Sequence, residues 1–161
     1  MSPNEDLVRN LSEKKADPAT FTTVDLNAVF ARVLKPYQTS GRNQQVIVRC
    51  DHLPLFTGDE EVLESVFSEL VKMILVQYSK EKRFLHILCQ EEKISPGAET
   101  AVRYQVQMLT NLVTDSKWKA LYGERLIALQ AILNGFEARL HVHDLTTSGC
   151  LFSISLPGKN I

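Results

Sequence analysis

Apolar side chains recur at the spacing of a helix in three parts of the chain. The first stripe covers 26–37 and follows Asp25, a residue type that caps helix N-termini. The second runs from about 59 to 78 and carries two neighbouring rows of apolar residues, each at a spacing of four. Such a wide apolar face is typical of a helix that lies on a sheet. The third covers 124–133 and ends before Gly135. We predict a helix over each stripe.

Shorter apolar runs have the alternation, or the near-continuity, of β-strands. In the clearest run, Val106 and Met108 fall on one face, whereas Arg103 and Gln105 fall on the other. We predict five strands, over 45–50, 83–90, 101–109, 138–143 and 152–156. Residues 110–123 are less regular, and we assign no element to them.

The predicted order is helix, strand, helix, two strands, helix, two strands. Helices interspersed with hairpin-linked strands indicate a two-layer α/β sandwich. We expect a mixed, mostly antiparallel sheet that about three helices cover on one face. The other face of the sheet can then stay in water, which explains the polar residues that alternate with the apolar ones.

Composition and charge exclude several classes of function. The chain has 161 residues and a formal net charge of −1, so it suits one domain and has no electrostatic footprint for nucleic acid or for an anionic membrane. No apolar run reaches the roughly 18 residues that a bilayer requires, and the polar N-terminus does not resemble a signal peptide. We therefore expect a cytoplasmic location. The three cysteines form no Cys-x-x-Cys pair, so we expect no zinc site.

Five stretches of the chain share the pattern of one known family. They are DLVRNLSEKKADPATF (6–21), TTVDLNAVFARVL (22–34), LPLFTGDEEVLESVFSELVKMIL (53–75), LIALQAILNGFEARLHV (126–142) and SGCLFSISLP (148–157). In this order and spacing they resemble the catalytic ATP-binding domain of sensor histidine kinases, which has the Bergerat-type ATPase fold. The first stretch resembles the end of the helical dimerisation hairpin of those kinases and its linker.

This resemblance implies a division of the chain. Residues 1–24 would be the end of a dimerisation helix and a linker, and residues 25–161 would be the histidine-kinase-like ATPase domain. The chain would form the C-terminal part of a larger two-component signalling protein. Neither His52 nor His86 looks like the phosphoacceptor histidine of the family, so we do not expect phosphorylation in the family's manner.

The magnesium-binding motif of the family has changed in this chain. In the family, an asparagine on the long helix ligates the Mg²⁺ that bridges the ATP phosphates. Met73 stands at that position, and its thioether is a poor ligand for a metal that prefers oxygen. One turn earlier, related ATPases have a catalytic glutamate, and this chain has Glu69. Glu69 is therefore the one candidate catalytic residue, although a glutamate on a helix is more often a solvated surface residue.

The adenine-binding motif of the family, D-x-G-x-G, has no clear counterpart here. Its aspartate would accept a hydrogen bond from the adenine amino group, just after the strand at 101–109. Thr110 or Asn111 occupies that position, and no glycine follows it up to residue 117. Asp115 could replace the aspartate only if the loop is rebuilt.

The phosphate-binding motif of the family, G-x-G-x, lies at the N-terminus of the last helix, where backbone N–H groups and the helix dipole hold phosphate. Here Gly123 is followed by Glu124 and Arg125, so an arginine replaces the second glycine. Arg125 could still contact an anion, but we favour a capped surface helix start. The phenylalanine motif of the lid is not identifiable, and we expect nearby Trp118 and Tyr122 to pack in the core.

Three such losses are enough to remove ATP binding. The loss of one buried, charge-assisted hydrogen bond costs about 1.5–3 kcal/mol, or tenfold or more in affinity. Three independent losses would move a micromolar site well past a Kd of about 1 mM. We therefore expect no ATP or Mg²⁺ cofactor. We expect a two-component signalling module that acts through protein contacts, with a dimerisation hairpin or a response-regulator receiver domain as its partner.

Three alternatives stay open. The chain could be an active but divergent histidine kinase in which Glu69, Asp115 and Arg125 replace the missing groups, with ATP and Mg²⁺ as cofactors. It could be a phosphotransferase whose partner helices lie elsewhere. It could also be an unrelated α/β sandwich, which the strand order would reveal.

His141 and His143 lie on one face of a predicted strand, a spacing that can chelate a metal ion. No third ligand is evident in the sequence near them. We therefore interpret them as part of a solvated sheet face. No serine lies in a Gly-x-Ser-x-Gly context, so hydrolase chemistry has no support.

Overall fold

The computed structural model of the chain describes residues 21–38, 46–75, 82–94, 101–145 and 149–157. The predicted helix tail before residue 21 and the predicted end of the second helix near Tyr78 lie outside these residues. Within them the elements are β1 (Thr22–Asp25), α1 (Leu26–Gln38), β2 (Val46–Cys50), β3 (Leu55–Gly58), α2 (Glu60–Leu75), β4 (Arg83–Ile94), β5 (Ala101–Thr110), α3 (Ser116–Asn134), β6 (Arg139–Asp144) and β7 (Cys150–Pro157).

The main sheet has five strands in the order β2-β4-β5-β7-β6. β2 pairs with β4 in parallel, and the other three pairs are antiparallel. The parallel pair requires a crossover, which β3 and α2 provide between the two strands. The predicted two-layer α/β architecture, with a mixed and mostly antiparallel sheet and three helices in the described part of the chain, is confirmed.

The core lies between the helices and one face of the sheet. Ile87, Met108 and Phe152 are register partners on three adjacent strands, and all three are fully buried. On the helical side, the rings of Phe30 and Phe67 meet with their centroids 4.6 Å apart, which joins α1 to α2. The predicted apolar faces of these elements are therefore the faces that pack together.

The Asp59 side chain caps the N-terminus of α2. The Asp59 carboxylate accepts a hydrogen bond from the Val62 backbone N–H at 3.2 Å. Glu60 and Glu61 in the first turn add negative charge where the helix dipole favours it. These contacts fix the point at which the long helix begins.

A two-stranded sheet of β1 and β3 is absent from our predictions. Residues 22–24, predicted to lie in the linker, form most of β1 and pair with β3 from Thr22 opposite Gly58. Each strand has only four residues, too few for a recognisable alternation. Asn27, in the first turn of α1, joins the chain after β1 to the chain before β3. Its side chain accepts a hydrogen bond from the Leu53 backbone N–H and donates one to the Leu53 carbonyl, both at 2.7 Å. The division of the chain after residue 24 stays a prediction.

Two glycines offer a matched test of this fold. Gly149 has a φ of 142°, and a Cβ there would lie 2.1 Å from the Thr110 carbonyl oxygen. We expect Gly149→Ala to lower the free energy of unfolding by more than about 1 kcal/mol, because both the backbone conformation and the space exclude a side chain. Gly123 lies inside α3, and a Cβ there meets nothing within 4 Å.

For Gly123→Ala we expect the opposite sign, a gain of about 0.5–1 kcal/mol, because alanine favours the helix interior. Urea unfolding of both variants beside the unchanged chain measures the two effects. A destabilising Gly123→Ala would contradict the position of Gly123 inside α3.

Candidate functional site

The last helix begins earlier than predicted, and this changes the phosphate-binding end of the candidate site. Asp115 is the N-cap of α3, and its carboxylate accepts a hydrogen bond from the Trp118 backbone N–H at 2.9 Å. The predicted start near residue 124 is therefore wrong. The sequence signal was weak because apolar residues point to both sides of α3. Trp118 and Leu129 are buried, whereas Leu121 and Ile127 are exposed.

Gly123 and Arg125 consequently lie in the interior of α3. Backbone N–H groups there serve the hydrogen bonds of the helix itself, so they cannot form the cradle of a helix N-terminus. The interpretation of Gly123 as part of a helix start is wrong. The Arg125 guanidinium lies over the Tyr122 ring, 5.9 Å from its centroid, which is a cation–π contact on the surface of α3.

Trp118 occupies the space between α2, α3 and the sheet. Only 1% of its surface is exposed, and its indole N–H donates to the Met73 carbonyl oxygen at 3.4 Å. Its ring meets Phe152 of β7 edge-on, with the centroids 6.0 Å apart, and Tyr122 packs on it at 5.3 Å. The predicted core role of Trp118 is confirmed.

Met73 and Glu69 lie on the buried side of α2. Met73 packs in the core, and Glu69 is 3% exposed, so the expectation of a solvated Glu69 is wrong. Its Oε2 atom makes no hydrogen bond within the described residues. Burial, and then the negative charge of Glu69, raise the pKa of the Tyr37 phenol at the end of α1. The Glu69 carboxylate is therefore buried near the end of α1, which the period of α2 alone could not predict.

Thr110 and Asn111 at the end of β5 hold neighbouring backbone. The Asn111 side chain accepts from the Phe84 backbone N–H at 2.9 Å and donates to the Lys82 carbonyl at 2.7 Å. The Thr110 hydroxyl oxygen accepts from the Leu112 backbone N–H at 3.2 Å. Both side chains thus pin the end of β5, where the family motif would place the adenine acceptor.

The sequence did not predict one polar cluster near this region. The Thr114 hydroxyl donates to the Asp144 carboxylate, and the Lys119 ammonium lies 3.4 Å from the second oxygen of that carboxylate. The hydrogen bond from Thr114, and then the charge of Lys119, lower the pKa of Asp144. The cluster joins the segment before α3 to the end of β6, and no local pattern signals a contact between residues so far apart in sequence.

Comparison with known proteins identifies the fold. No protein-family model matches the sequence, and no curated protein does. Among solved structures, Acinetobacter baumannii histidine kinase AdeS is similar with a TM-score of 0.69 at 17% identity, over 98% of this chain and 75% of that one. Mycobacterial sensor histidine kinase MprB gives 0.65 at 16% identity, over 88% of this chain and 100% of that one. The catalytic domain of histidine kinase ThkA gives 0.61 at 16%, over 86% and 95%.

The chain has the fold of a histidine kinase catalytic domain. The structural similarity thus excludes the alternative of an α/β sandwich with a different fold. A metal-binding cluster and a membrane-spanning helix are both absent from the described residues. They contain no group of three or more His, Cys, Asp or Glu side chains that could hold a metal ion. None of their helices is both long enough and apolar enough to cross a membrane.

The fold does not assemble the candidate residues into one site. Met73 and Trp118 are in direct contact, and Asp115 caps the helix that carries Trp118. Thr110 and Asn111 turn to the backbone beside β5. Gly123 and Arg125 lie further along α3, beyond Trp118.

The capping role of Asp115 can be separated from a requirement for its negative charge. We expect Asp115→Ala to lower the free energy of unfolding by about 1 kcal/mol, because the Trp118 N–H loses its acceptor. Asp115→Asn keeps an acceptor oxygen and should change stability little. Thermal and urea unfolding measure both variants. An Asp115→Asn variant as unstable as Asp115→Ala would show that charge, and not capping, is what the position requires.

The lowered pKa of Asp144 makes stability depend on pH in a defined direction. A carboxylate with a lowered pKa stabilises the fold above its ordinary unfolded value of about 3.9, and this contribution is lost as the pH falls through the lower folded value. Thr114→Val removes the main cause, so we expect a shallower loss of stability below about pH 4. Thr114→Ser keeps a hydroxyl and serves as the control. Urea unfolding between about pH 2 and 6 measures this slope, and equal slopes for Thr114→Val and the unchanged chain would contradict the assignment.

Proposed function

We propose that this chain is a two-component signalling module that acts through protein contacts and does not use ATP. The observation that carries the proposal is the burial of Trp118, whose indole N–H donates to the main-chain carbonyl of Met73. By the family resemblance, Met73 stands where the Mg²⁺-binding asparagine would face the nucleotide. The indole of Trp118 therefore takes up space beside the position from which the metal and phosphates would be bound.

The energetic cost of clearing that space supports the proposal. Removing a buried tryptophan from a core costs about 3–5 kcal/mol. A nucleotide that had to displace Trp118 would lose roughly a hundred- to a thousandfold or more in affinity before any contact is counted. The thioether of Met73 offers magnesium no oxygen in return.

The other replaced motif positions support the same conclusion. Asn111 and Asp115 use their side-chain oxygens to accept hydrogen bonds from backbone N–H groups of the chain itself. An adenine acceptor at either position would have to give up that bond first. The interior position of Gly123 in α3 likewise removes the helix N-terminus that would hold phosphate.

The outer side of α3 supplies a surface for the proposed protein contacts. Leu121 is 59% exposed and Ile127 is 66% exposed, with Glu124 between them on the same side. Exposed large apolar side chains on one helix suit packing against another helix, as in a dimerisation hairpin or on a receiver domain.

Calorimetry with Mg-ATP tests the loss of nucleotide binding. We expect no saturable heat up to about 1 mM Mg-ATP, because several binding groups are absent at once. A catalytic domain of an ATP-binding histidine kinase, titrated in the same buffer, is the positive control. A micromolar Kd for the unchanged chain would contradict the proposal.

The contact surface has its own test. We expect the double variant Leu121→Ser with Ile127→Ser to keep the fold, because both side chains are exposed, and to weaken binding to a dimerisation hairpin or a receiver domain by tenfold or more. Val113→Ser, another exposed apolar residue outside α3, is the matched control. Unchanged binding in the double variant would remove α3 from the proposed interface.

One observation favours a second candidate, an active but divergent kinase. Glu69 keeps a buried carboxylate oxygen without a hydrogen-bond partner in the described residues, as a catalytic base awaiting a ligand would. In that case Mg-ATP should raise the melting temperature of the chain, and Glu69→Gln should abolish kinase activity while the fold stays intact. The absence of any ATP-dependent shift would exclude this candidate.

A further inference from the structure

The face of the main sheet that carries no helix contains a groove of about 380 Å³. Its size falls within the range of small-molecule sites. The residues that carry the argument are Arg103, Arg139, His141, His143, Ser153 and Ser155. They project from β5, β6 and β7, on the side opposite to the core residues of the same strands. The groove therefore lies on the opposite side of the sheet from Trp118.

Arg103 is held rigidly at the edge of this groove. Its Nε donates to the Ser155 hydroxyl at 2.8 Å, and its Nη2 donates to the carbonyls of Glu137 at 2.8 Å and Ser155 at 3.3 Å. Glu137 has a positive φ of 60°, which is uncommon for a residue other than glycine. These bonds fix the plane of the guanidinium group and leave Nη1 without a hydrogen-bond partner within the described residues. A fixed guanidinium loses little entropy when it binds a ligand.

Arg139 brings a second guanidinium group to the same place. It is the register partner of Ser155, so both arginines flank that one serine. Arg139 makes no hydrogen bond or ion pair within the described residues. Glu92, the single acidic residue of the lining, already accepts a hydrogen bond from the Gln105 amide at 2.7 Å. Two arginines against one glutamate leave the lining with a net positive charge, which attracts an anion.

The two histidines extend the polar surface of the groove along β6. The rings of His141 and His143 lie nearly parallel, with their centroids 6.1 Å apart, and both residues are exposed. His141 pairs in register with Ser153, whose hydroxyl also lines the groove. Imidazole N–H groups and serine hydroxyls can donate hydrogen bonds to oxygen atoms. The groove therefore offers donors at several points along its length.

We propose that this groove binds a small organic anion that carries at least two phosphate or carboxylate groups. A guanidinium group recognises such oxyanions with two parallel hydrogen bonds. Arg139, which is exposed, and Arg103, which is held by its hydrogen bonds, would bind one acidic group near Ser155. The histidines and Ser153 would bind the second.

Titration with pyrophosphate and with citrate tests this proposal, followed by calorimetry and by backbone amide chemical shifts. We expect saturable binding, with shifts confined to β5, β6 and β7 around the groove. Arg139→Gln should weaken binding tenfold or more, because a charge-assisted pair of hydrogen bonds is lost. Lys117→Gln, which removes the same charge from the exposed first turn of α3, is the matched control and should leave binding unchanged.

The two anions distinguish a ligand with phosphate groups from a ligand with carboxylate groups. Saturable binding of pyrophosphate alone assigns phosphate groups to the ligand, and binding of citrate alone assigns carboxylates. No saturable response to either anion up to about 10 mM would overturn the proposal, as would equal weakening by Arg139→Gln and Lys117→Gln, which indicates unspecific charge attraction. An unchanged melting temperature of Arg139→Gln shows that the fold is intact. An Mg-ATP signal that this variant removes belongs to the groove and not to the positions that match the family's nucleotide motifs.

Discussion

The arrangement of α2, α3 and β7 depends on the packing of the Trp118 side chain between them. The indole joins three elements at once, because it donates to the backbone of α2, belongs to α3 and packs on a ring of β7. Large aromatic side chains contribute most per residue to such a core. The position of α3, and with it the cap at Asp115, follows from where this ring is buried.

The elements that the sequence predicted well are those whose burial is decided within one element. The two apolar rows of α2 and the alternation of β5 need only one covering layer, so the period itself reports the buried side. The strand order could not be predicted in this way, because it depends on pairings between distant segments. The family resemblance predicted the type of fold, which the periodicities alone could not, and the fold is confirmed.

The predictions failed where a second element decides the outcome. The start of α3 was missed because Leu121 and Ile127 point outward beside a buried Trp118, so no single apolar face exists. Glu69 was expected in solvent, but it is buried near Tyr37 at the end of α1. The hydrogen bond between Thr114 and Asp144 joins residues with no local signal of their proximity. The candidate site residues could thus be identified from the sequence, but their burial and partners could not be predicted, because the partners come from other segments.

The alternation of side chains along β7 has a consequence for how the two proposed surfaces relate. Phe152 points toward Trp118 and the helices, whereas its neighbour Ser153 points into the groove on the opposite side of the sheet. β7 therefore separates the core, where the indole of Trp118 is buried, from the groove, which is open to solvent. Occupants of the groove and of the outer side of α3 would not collide, because the whole thickness of the sandwich separates them. Any displacement of this strand, in contrast, would reach both sides at once.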